Sequence, residues 1–461
     1  MTLHTVHIAS LGCARNDVDS EELAARLEAG GFELVDDAEE AETVVVNTCG
    51  FVEQAKKDSI DTLLAANDLK ADGTVKSVVA VGCMAERYGV ELAKELPEAD
   101  AVLGFDAYTD IADRLRGILD GEQQISHVPR DRRKLLPLSP AQRPAAAEEV
   151  AIPGHEWLQR RRRLTDAPWS SLKIASGCDR RCAFCAIPSF RGSFVSRPVE
   201  ELVAEARWLA QEGVKELFLV SENTSSYGKD FGTGHKLESL LGELSEVDGI
   251  EWIRVSYLQP AELRPAILQS ILHTPKVVPY FDLSFQHASG PVLRRMRRFG
   301  DAEQFLGLIN MIRAEAPHAG IRSNVIAGFP GETEEDVEIL RQFIIDAQLD
   351  VLGVFGYSDE EGTEGVGLDG HIDPEEVEER RAMLADVALE VSEGRAADRI
   401  GEELEVLIES NEDGMAIGRA KHQAPETDGA VILDTELPIG SIVRATAVDA
   451  EGIDLVAEVT E

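Results

Sequence analysis

The stretch SSLKIASGCDRRCAFC, residues 170–185, sets the reading of this 461-residue chain. Its first half is a short apolar strand, 172–175, closed by a Ser176-Gly177 turn. Its second half puts Cys178, Cys182 and Cys185 at C-x3-C-x2-C spacing on the following loop. In a parallel α/β barrel the loops after the strands open onto the functional face. Three thiolates on one short loop can hold three corners of a cubane, whereas full ligation of a 4Fe–4S cluster takes four cysteines. The missing fourth leaves one iron open to an external ligand. Structural zinc is the first competing reading, but zinc takes four closed ligands and no His or Cys completes the triplet nearby. A redox C-x2-C pair is the second, and it leaves Cys178 unexplained.

Outward from this loop the alternation of strand and helix continues. Short apolar runs at 216–220, 252–256, 280–285, 321–327 and 351–357 are separated by helical patterns such as 198–212 and 333–347. Thr333 followed by Glu334, Glu335 and Asp336 reads as a helix start, with an N-cap hydroxyl and acids in the first turn. Six strand–helix units over 165–396 predict a partial, TIM-like (β/α)6 barrel; a doubly wound sheet is the alternative. The turn Gly328-Phe329-Pro330-Gly331-Glu332 follows one strand, and His287 ends another. Each alone is ordinary: a strand-to-helix turn, and a histidine satisfying local hydrogen bonds.

The segment 1–128 has the same α/β character. Apolar runs at 6–9, 43–46 and 77–81 alternate with amphipathic stretches such as 19–29, which predicts an open parallel sheet. Cys13, Cys49 and Cys83 each follow one of these runs, in the settings HIASLGC, VVVNTCG and VVAVGC. Their separations are about one strand–helix unit, so they fall at the carboxyl ends of neighbouring parallel strands, where ligands bind in open α/β folds. Glycines 12, 50 and 82 flank them and let backbone approach a bulky group. Three converging thiols again leave one corner vacant; three unrelated buried cysteines are the competing reading.

Residues 129–164 read as a linker, rich in Pro, Ala and Arg, with the run Arg160–Arg163 read as solvated rather than RNA-binding. Residues 397–461 carry short alternating runs at 404–408, 430–433, 441–448 and 454–459, broken by Gly, Asn, Asp and Pro, and predict a small all-β barrel. From 401 onward this tail holds 15 acidic and 3 basic residues, the opposite of a phosphate-binding face. The whole chain has 85 acidic and 45 basic residues, a formal charge of −40. Such a field repels nucleic acid and suits basic partners, though solubility or salt adaptation explains it equally well. Composition, at 44% hydrophobic, excludes a disordered chain. MTLHTVHIASLGC lacks a basic, then apolar, leader, and no stretch approaches a membrane span, so a cytoplasmic protein is expected. In a reducing compartment six cysteines are metal ligands or catalytic groups rather than disulfides.

Taken together, GCDRRCAFCAIPSFRGSFVSRP (177–198), LGCARNDVDSE (11–21), NTCGFVEQA (47–55), VGCMAERY (81–88), QHASGPVLRRMRR (286–298) and GFPGETEEDV (328–337) resemble the radical S-adenosylmethionine (SAM) methylthiotransferase family. The similarity spans nearly the whole chain, in the order N-terminal domain, radical SAM domain, TRAM domain. LGCARNDVDSE, NTCGF, AIPSFRG and GVFGYSDEEGT (353–363) resemble the branch that modifies ribosomal protein S-twelve more than the sister branch that modifies tRNA. One departure is Ser221-Glu222-Asn223-Thr224, where an Asp-Thr-Thr-like string is expected.

The resemblance implies a transferase that inserts a methylthio group at the β-carbon of an aspartate in that ribosomal protein. It implies two 4Fe–4S clusters. Cys178, Cys182 and Cys185 would bind the SAM that serves as radical source; Cys13, Cys49 and Cys83 would hold the cluster that carries sulfur, and a second SAM would donate methyl. Phe184, Gly328 and Pro330 would wall the SAM pocket, and Glu222 and Asn223 would make its polar contacts. Reduced ferredoxin or flavodoxin would supply electrons. A tRNA methylthiotransferase, a non-catalytic iron–sulfur electron carrier and a zinc-stabilised RNA-binding module are the alternatives.

Overall fold

The computed structural model describes residues 4–147, 150–153, 161–232 and 236–460. Its first layer is a five-stranded sheet of β1 (His4–Ser10), β2 (Phe32–Leu34), β3 (Thr43–Thr48), β4 (Ser77–Val81) and β5 (Ala101–Val102), in the order β2-β1-β3-β4-β5. Every pairing is parallel. The middle strands are nearly continuous Val and Ala because both faces are covered, by α1 (Ala14–Ala29) and α4 (Ile111–Leu119) on one side and α2 (Glu53–Asp68) and α3 (Gly82–Glu95) on the other. Ser10 lies opposite Asn47, and Asn47 opposite Val81. The turns carrying Cys13, Cys49 and Cys83 therefore leave the sheet side by side at one edge. Sequence reasoning missed β2 and β5, and α1 begins five residues before the amphipathic stretch.

The connecting segment contains the short α5 (Arg143–Ala147) and is pinned to the protein by buried arginines. Arg132 is buried against Glu86, Arg143 reaches Asp179, and Arg161 bridges Glu21 and Glu205 at 2.9 Å each. The expectation of a solvated arginine run is thereby overturned at Arg161: two distant helices supply the acids that pair it. Arg162 does stay exposed, and Arg160 lies outside the described residues.

The central body opens with β6 (Trp169–Lys173) and a small antiparallel pair, β7 (Ala175–Ser176) with β8 (Val195–Ser196), that brackets the cysteine loop and the one-turn α6 (Ile187–Arg191). Strands β9 (Glu216–Val220), β10 (Trp252–Val255), β11 (Tyr280–Gln286), β12 (Gly320–Ala327) and β13 (Val351–Gly356) follow. They form two three-stranded parallel sheets, β10-β9-β6 and β11-β12-β13, joined by a parallel bridge between Leu258 and Leu283. The result is the expected open six-stranded half-barrel. Helices α7 (Val199–Gln211), α8 (Leu237–Ser245), α9 (Pro265–His273), α10 (Gly290–Arg295), α11 (Ala302–Glu315), α12 (Glu334–Ala347) and α13 (Pro374–Ala397) pack on its outer face. Thr333 caps α12 in a reciprocal box with Asp336, as the sequence predicts.

Strands β14 (Glu403–Glu412), β15 (Met415–Ala420), β16 (Val431–Leu433), β17 (Ile442–Glu451) and β18 (Asp454–Val459) close into the small C-terminal barrel. It is fastened to the base of the half-barrel. Phe218, Val220, Trp252 and Tyr280 pack with Leu407 and Ala424, while buried Glu216 accepts from Arg254 at 2.6 Å and from Arg419 at 2.7 Å. Among the described residues no helix is long and apolar enough to cross a membrane.

Candidate functional site

The first thiol triplet is assembled by backbone contact. Gly12, at φ +103°, lies so close to Cys49 that a Cβ there would sit 2.7 Å from the Cys49 Cβ. A Cβ on Gly82, at φ +90°, would fall 2.2 Å from the Asn47 side chain, and one on Gly50 would press on the Met84 backbone. Side chains on these turns would hold the three cysteines apart. Cys49 and Cys83 are buried, and Cys13, at the start of α1, is half-buried.

Two guanidiniums serve this triplet. Arg191, at the end of α6, donates to the Cys83 sulfur at 3.0 Å, to Asn16 Oδ1 at 2.8 Å and to Asp19 Oδ2 at 2.6 Å. Lys173 donates to the other Asp19 oxygen at 2.6 Å. Arg15 stacks 4.8 Å over the Tyr257 ring and donates to the Ser221 carbonyl at 3.2 Å. Burial works to raise the Cys13 thiol, but Arg15 and Arg191 outweigh it and hold it below the ordinary thiol range. Burial, together with the neighbouring Cys13, pushes Cys49 up; burial pushes Cys83 to about 12 in spite of Arg191.

The second triplet lines a cavity of about 250 Å³ at the carboxyl ends of the central strands. Cys178, Cys182 and Cys185 form one side with Phe184; Arg15, Phe51 and Val52 reach in from the N-terminal sheet domain. Gly177, at φ +78°, lets the loop pass against the Ser193 carbonyl, which a Cβ would meet at 2.3 Å. Burial raises Cys178 to about 12 and lifts Cys185 above the usual range; Arg298 lies 3.7 Å from the Cys182 sulfur. The loop after β13 seals the rim: Glu360 accepts from Lys56 at 2.9 Å and from Arg87 at 2.7 Å, both of the N-terminal domain.

Of the residues singled out for the SAM pocket, Phe184 and Glu222 line this cavity. Asn223 turns away to Ser226 and Glu262, and Gly328 packs on Val377 of α13. The Pro330 carbonyl accepts from Arg295. These three are absent from the cavity wall: Asn223 is held by its own turn and by Glu262, and the turn after β12 folds back onto α10 and α13. His287 is buried against Glu332 and the Ser289 amide, the local role expected of it. Sequence reasoning missed Arg15, Tyr257, Gln259 and Asn324 on the wall. Arg15 sits inside a quoted motif and Asn324 inside the apolar run 321–327; Tyr257 and Gln259 lie in a turn without pattern.

The donor set fits a polynuclear cluster and a cationic, hydroxyl-bearing ligand. Among the described residues no three His, Cys, Asp or Glu side chains gather closely enough to share one metal ion, so a single zinc at either triplet finds no ready shell. A cluster asks for thiolates spread over separate irons. In the cavity, Glu222 Oε2, Gln259 Oε1 and Asn324 Oδ1 are buried acceptors with no hydrogen-bond partner among the described residues, and such groups await donors from a ligand.

Family comparisons agree with this architecture. Residues 5–104 match "Uncharacterized protein family UPF0004", 172–344 the Radical SAM superfamily and 400–460 the TRAM domain. A protein of Cutibacterium acnes named ribosomal protein uS12 methylthiotransferase RimO is 64% identical, over 99% of this chain and 98% of that one. The Streptomyces griseus protein of the same name is 59% identical, over 98% and 97%. Among solved structures, the radical SAM methyltransferase TsrM of Kitasatospora setae aligns with a TM-score of 0.54 at 14% identity, over 77% of this chain and 73% of that chain, a likeness of fold.

Proposed function

Because the chain belongs to the ribosomal protein uS12 methylthiotransferase (RimO) family, we propose that it adds a methylthio group to the β-carbon of an aspartate of that ribosomal protein in the cytoplasm. Cys178, Cys182 and Cys185 hold one 4Fe–4S cluster, and Cys13, Cys49 and Cys83 hold another. The observation that carries this reading is the wall shared by the two triplets: Arg15 follows Cys13 by two residues and faces the cavity of Cys178, Cys182 and Cys185.

When bound, the clusters and two SAM molecules supply radical, sulfur and methyl chemistry that acid–base side chains cannot. The chain's own part is placement. Glu222, Gln259 and Asn324 offer unpaired acceptors to a ligand's ammonium and hydroxyl groups. Phe184 and Phe355 present apolar surface that keeps water from the reacting carbon. The ties of Glu360 to Lys56 and Arg87 hold the two domains at fixed separation, and such fixed geometry is what a transfer between them needs.

The tail favours a protein over tRNA. Of its three basic residues, Arg419 is buried on Glu216 and Lys421 is paired with Glu405, leaving Arg444 alone on the surface. A phosphate backbone needs a basic face.

Iron analysis of the reconstituted chain tests the reading: about eight irons are expected if both sites are filled, and a value near four removes one site. Cys182→Ala should abolish SAM cleavage. Cys49→Ala should keep cleavage and lose sulfur insertion. Incubation with ribosomes and separately with tRNA should give product from ribosomes; product from tRNA alone would replace this substrate.

A further inference from the structure

Arg191 belongs to the central half-barrel, yet its guanidinium ends on the other domain's cysteine. Its side chain is 3% exposed. One donor goes to the Cys83 sulfur at 3.0 Å, and the rest of the fork is fixed by Asn16 and Asp19, both on α1. The ring of Phe105 lies 4.8 Å beneath it. Asp19 is shared with Lys173, which is itself 0% exposed. Two cations and one carboxylate thus leave one net positive charge buried beside Cys83. At the second triplet Arg298 donates to the Cys182 sulfur at the longer distance of 3.7 Å and also to the Ser284 carbonyl.

Hydrogen bonds to cluster sulfurs and nearby charge set the reduction potential of an iron–sulfur centre, and outer-shell partners that fix a ligand also tune it. We propose that Arg191 is a positioning residue for the N-terminal cluster: lent by the central barrel, it raises that cluster's potential and does so only while the two domains are docked. The proposal rests on the reading of Cys13, Cys49 and Cys83 as cluster ligands. Arg191 follows Cys185 by six residues, at the end of the short helix α6 into which the cysteine loop runs. Any shift of the SAM-side loop therefore moves the charge at Cys83, so the two centres do not titrate as independent carriers.

The test uses the full-length chain with Cys178, Cys182 and Cys185 replaced by Ala, reconstituted anaerobically so that one cluster signal remains. Redox titration followed by electron paramagnetic resonance should give a more negative midpoint for Arg191→Gln than for this parent. Arg191→Lys, which keeps charge but loses the fork, should fall between them. Arg297→Gln, which removes an exposed charge from the same domain, should leave the midpoint where it was. Unchanged midpoints with iron retained would overturn the proposal, as would loss of iron from both Arg191 variants, which would make the residue a structural requirement alone. Should the parent itself hold no iron, the ligand reading of the N-terminal cysteines fails, separately from the role of Arg191.

Discussion

The two cysteine triplets reach similar ends by opposite routes. Cys178, Cys182 and Cys185 lie on one loop and are half-buried, so the chain's local sequence brings them together. Cys13, Cys49 and Cys83 come from three strand ends and meet because β1, β3 and β4 pair in register. The first arrangement depends on a turn; the second depends on a whole domain and on a barrel residue, Arg191, that completes its surroundings. A tertiary site gains burial and a cationic environment, but inherits every weakness of the packing that assembles it.

Removing the keystone of that packing should separate the two most widely. Asp19→Ala leaves Lys173 and Arg191 buried without their carboxylate; breaking a buried pair in this way costs about 3–5 kcal/mol. Thermal unfolding should register that loss, and iron should fall by about half as the N-terminal site alone empties. Equal loss from both sites would erase the contrast.

A matched pair of glycine substitutions sharpens it. Gly82→Ala and Gly177→Ala each force a positive φ and a clash, against Asn47 at 2.2 Å and the Ser193 carbonyl at 2.3 Å. Each should cost about 1–3 kcal/mol. The first should reduce iron at the N-terminal site while SAM cleavage persists, and the second should do the reverse.

The pH response provides a finer probe. Burial raises the Asp17 carboxyl from 3.8 to about 6, with the Ser10 hydroxyl opposing and Glu426 adding to the rise. A raised acid binds its proton more tightly when folded. The stability it confers is complete below pH 3.8 and is lost as pH climbs through about 6. Asp17→Asn should therefore stabilise the chain by about 1–2 kcal/mol at pH 7. In melting curves the advantage should vanish near pH 4. The smallest effect belongs to the cavity: Glu222→Gln should raise the KM for SAM about tenfold, as loss of one charged hydrogen bond does, with iron content unchanged. A tenfold fall in kcat at constant KM would instead give Glu222 a part in the reaction.

Much of this was legible before any coordinates. Five of the six central strands fall within one residue of the apolar runs, because their apolar residues carry a local signal; β6 begins three residues before its run, at Trp169, because Ser170 and Ser171 interrupt the apolar pattern. The first turn of α1 was not legible: Arg15, Asn16 and Asp17 face the site and its neighbours rather than a core, so no apolar period marks them. Strand β15 was hidden by Gly418 and Arg419, which look like a break. The glycine is there because a Cβ would meet the Leu407 carbonyl at 2.3 Å, and the arginine because it pairs with Glu216 on another domain. Wall residues such as Gln259, in the turn after β10, and Asn324, within β12, left no trace, since a single polar residue has no period to betray it. Family likeness puts Asn223, Gly328 and Pro330 on the SAM pocket; the local bonds of Asn223 and the packing of Gly328 and Pro330 against α13 and α10 lie beyond what a string of letters encodes.

The fastening of the C-terminal barrel to the half-barrel's base bears on how the molecule is made. Arg419 meets Glu216 across 203 residues of chain, and Arg254 donates to the Lys421 carbonyl across 167. During synthesis the central strands leave the ribosome long before the segment that closes beneath them. Until it arrives, Glu216 and Arg254 face water from an unfinished floor. The last-made residues are thus a stopper, and a chain cut short before Arg419 is born with its floor missing.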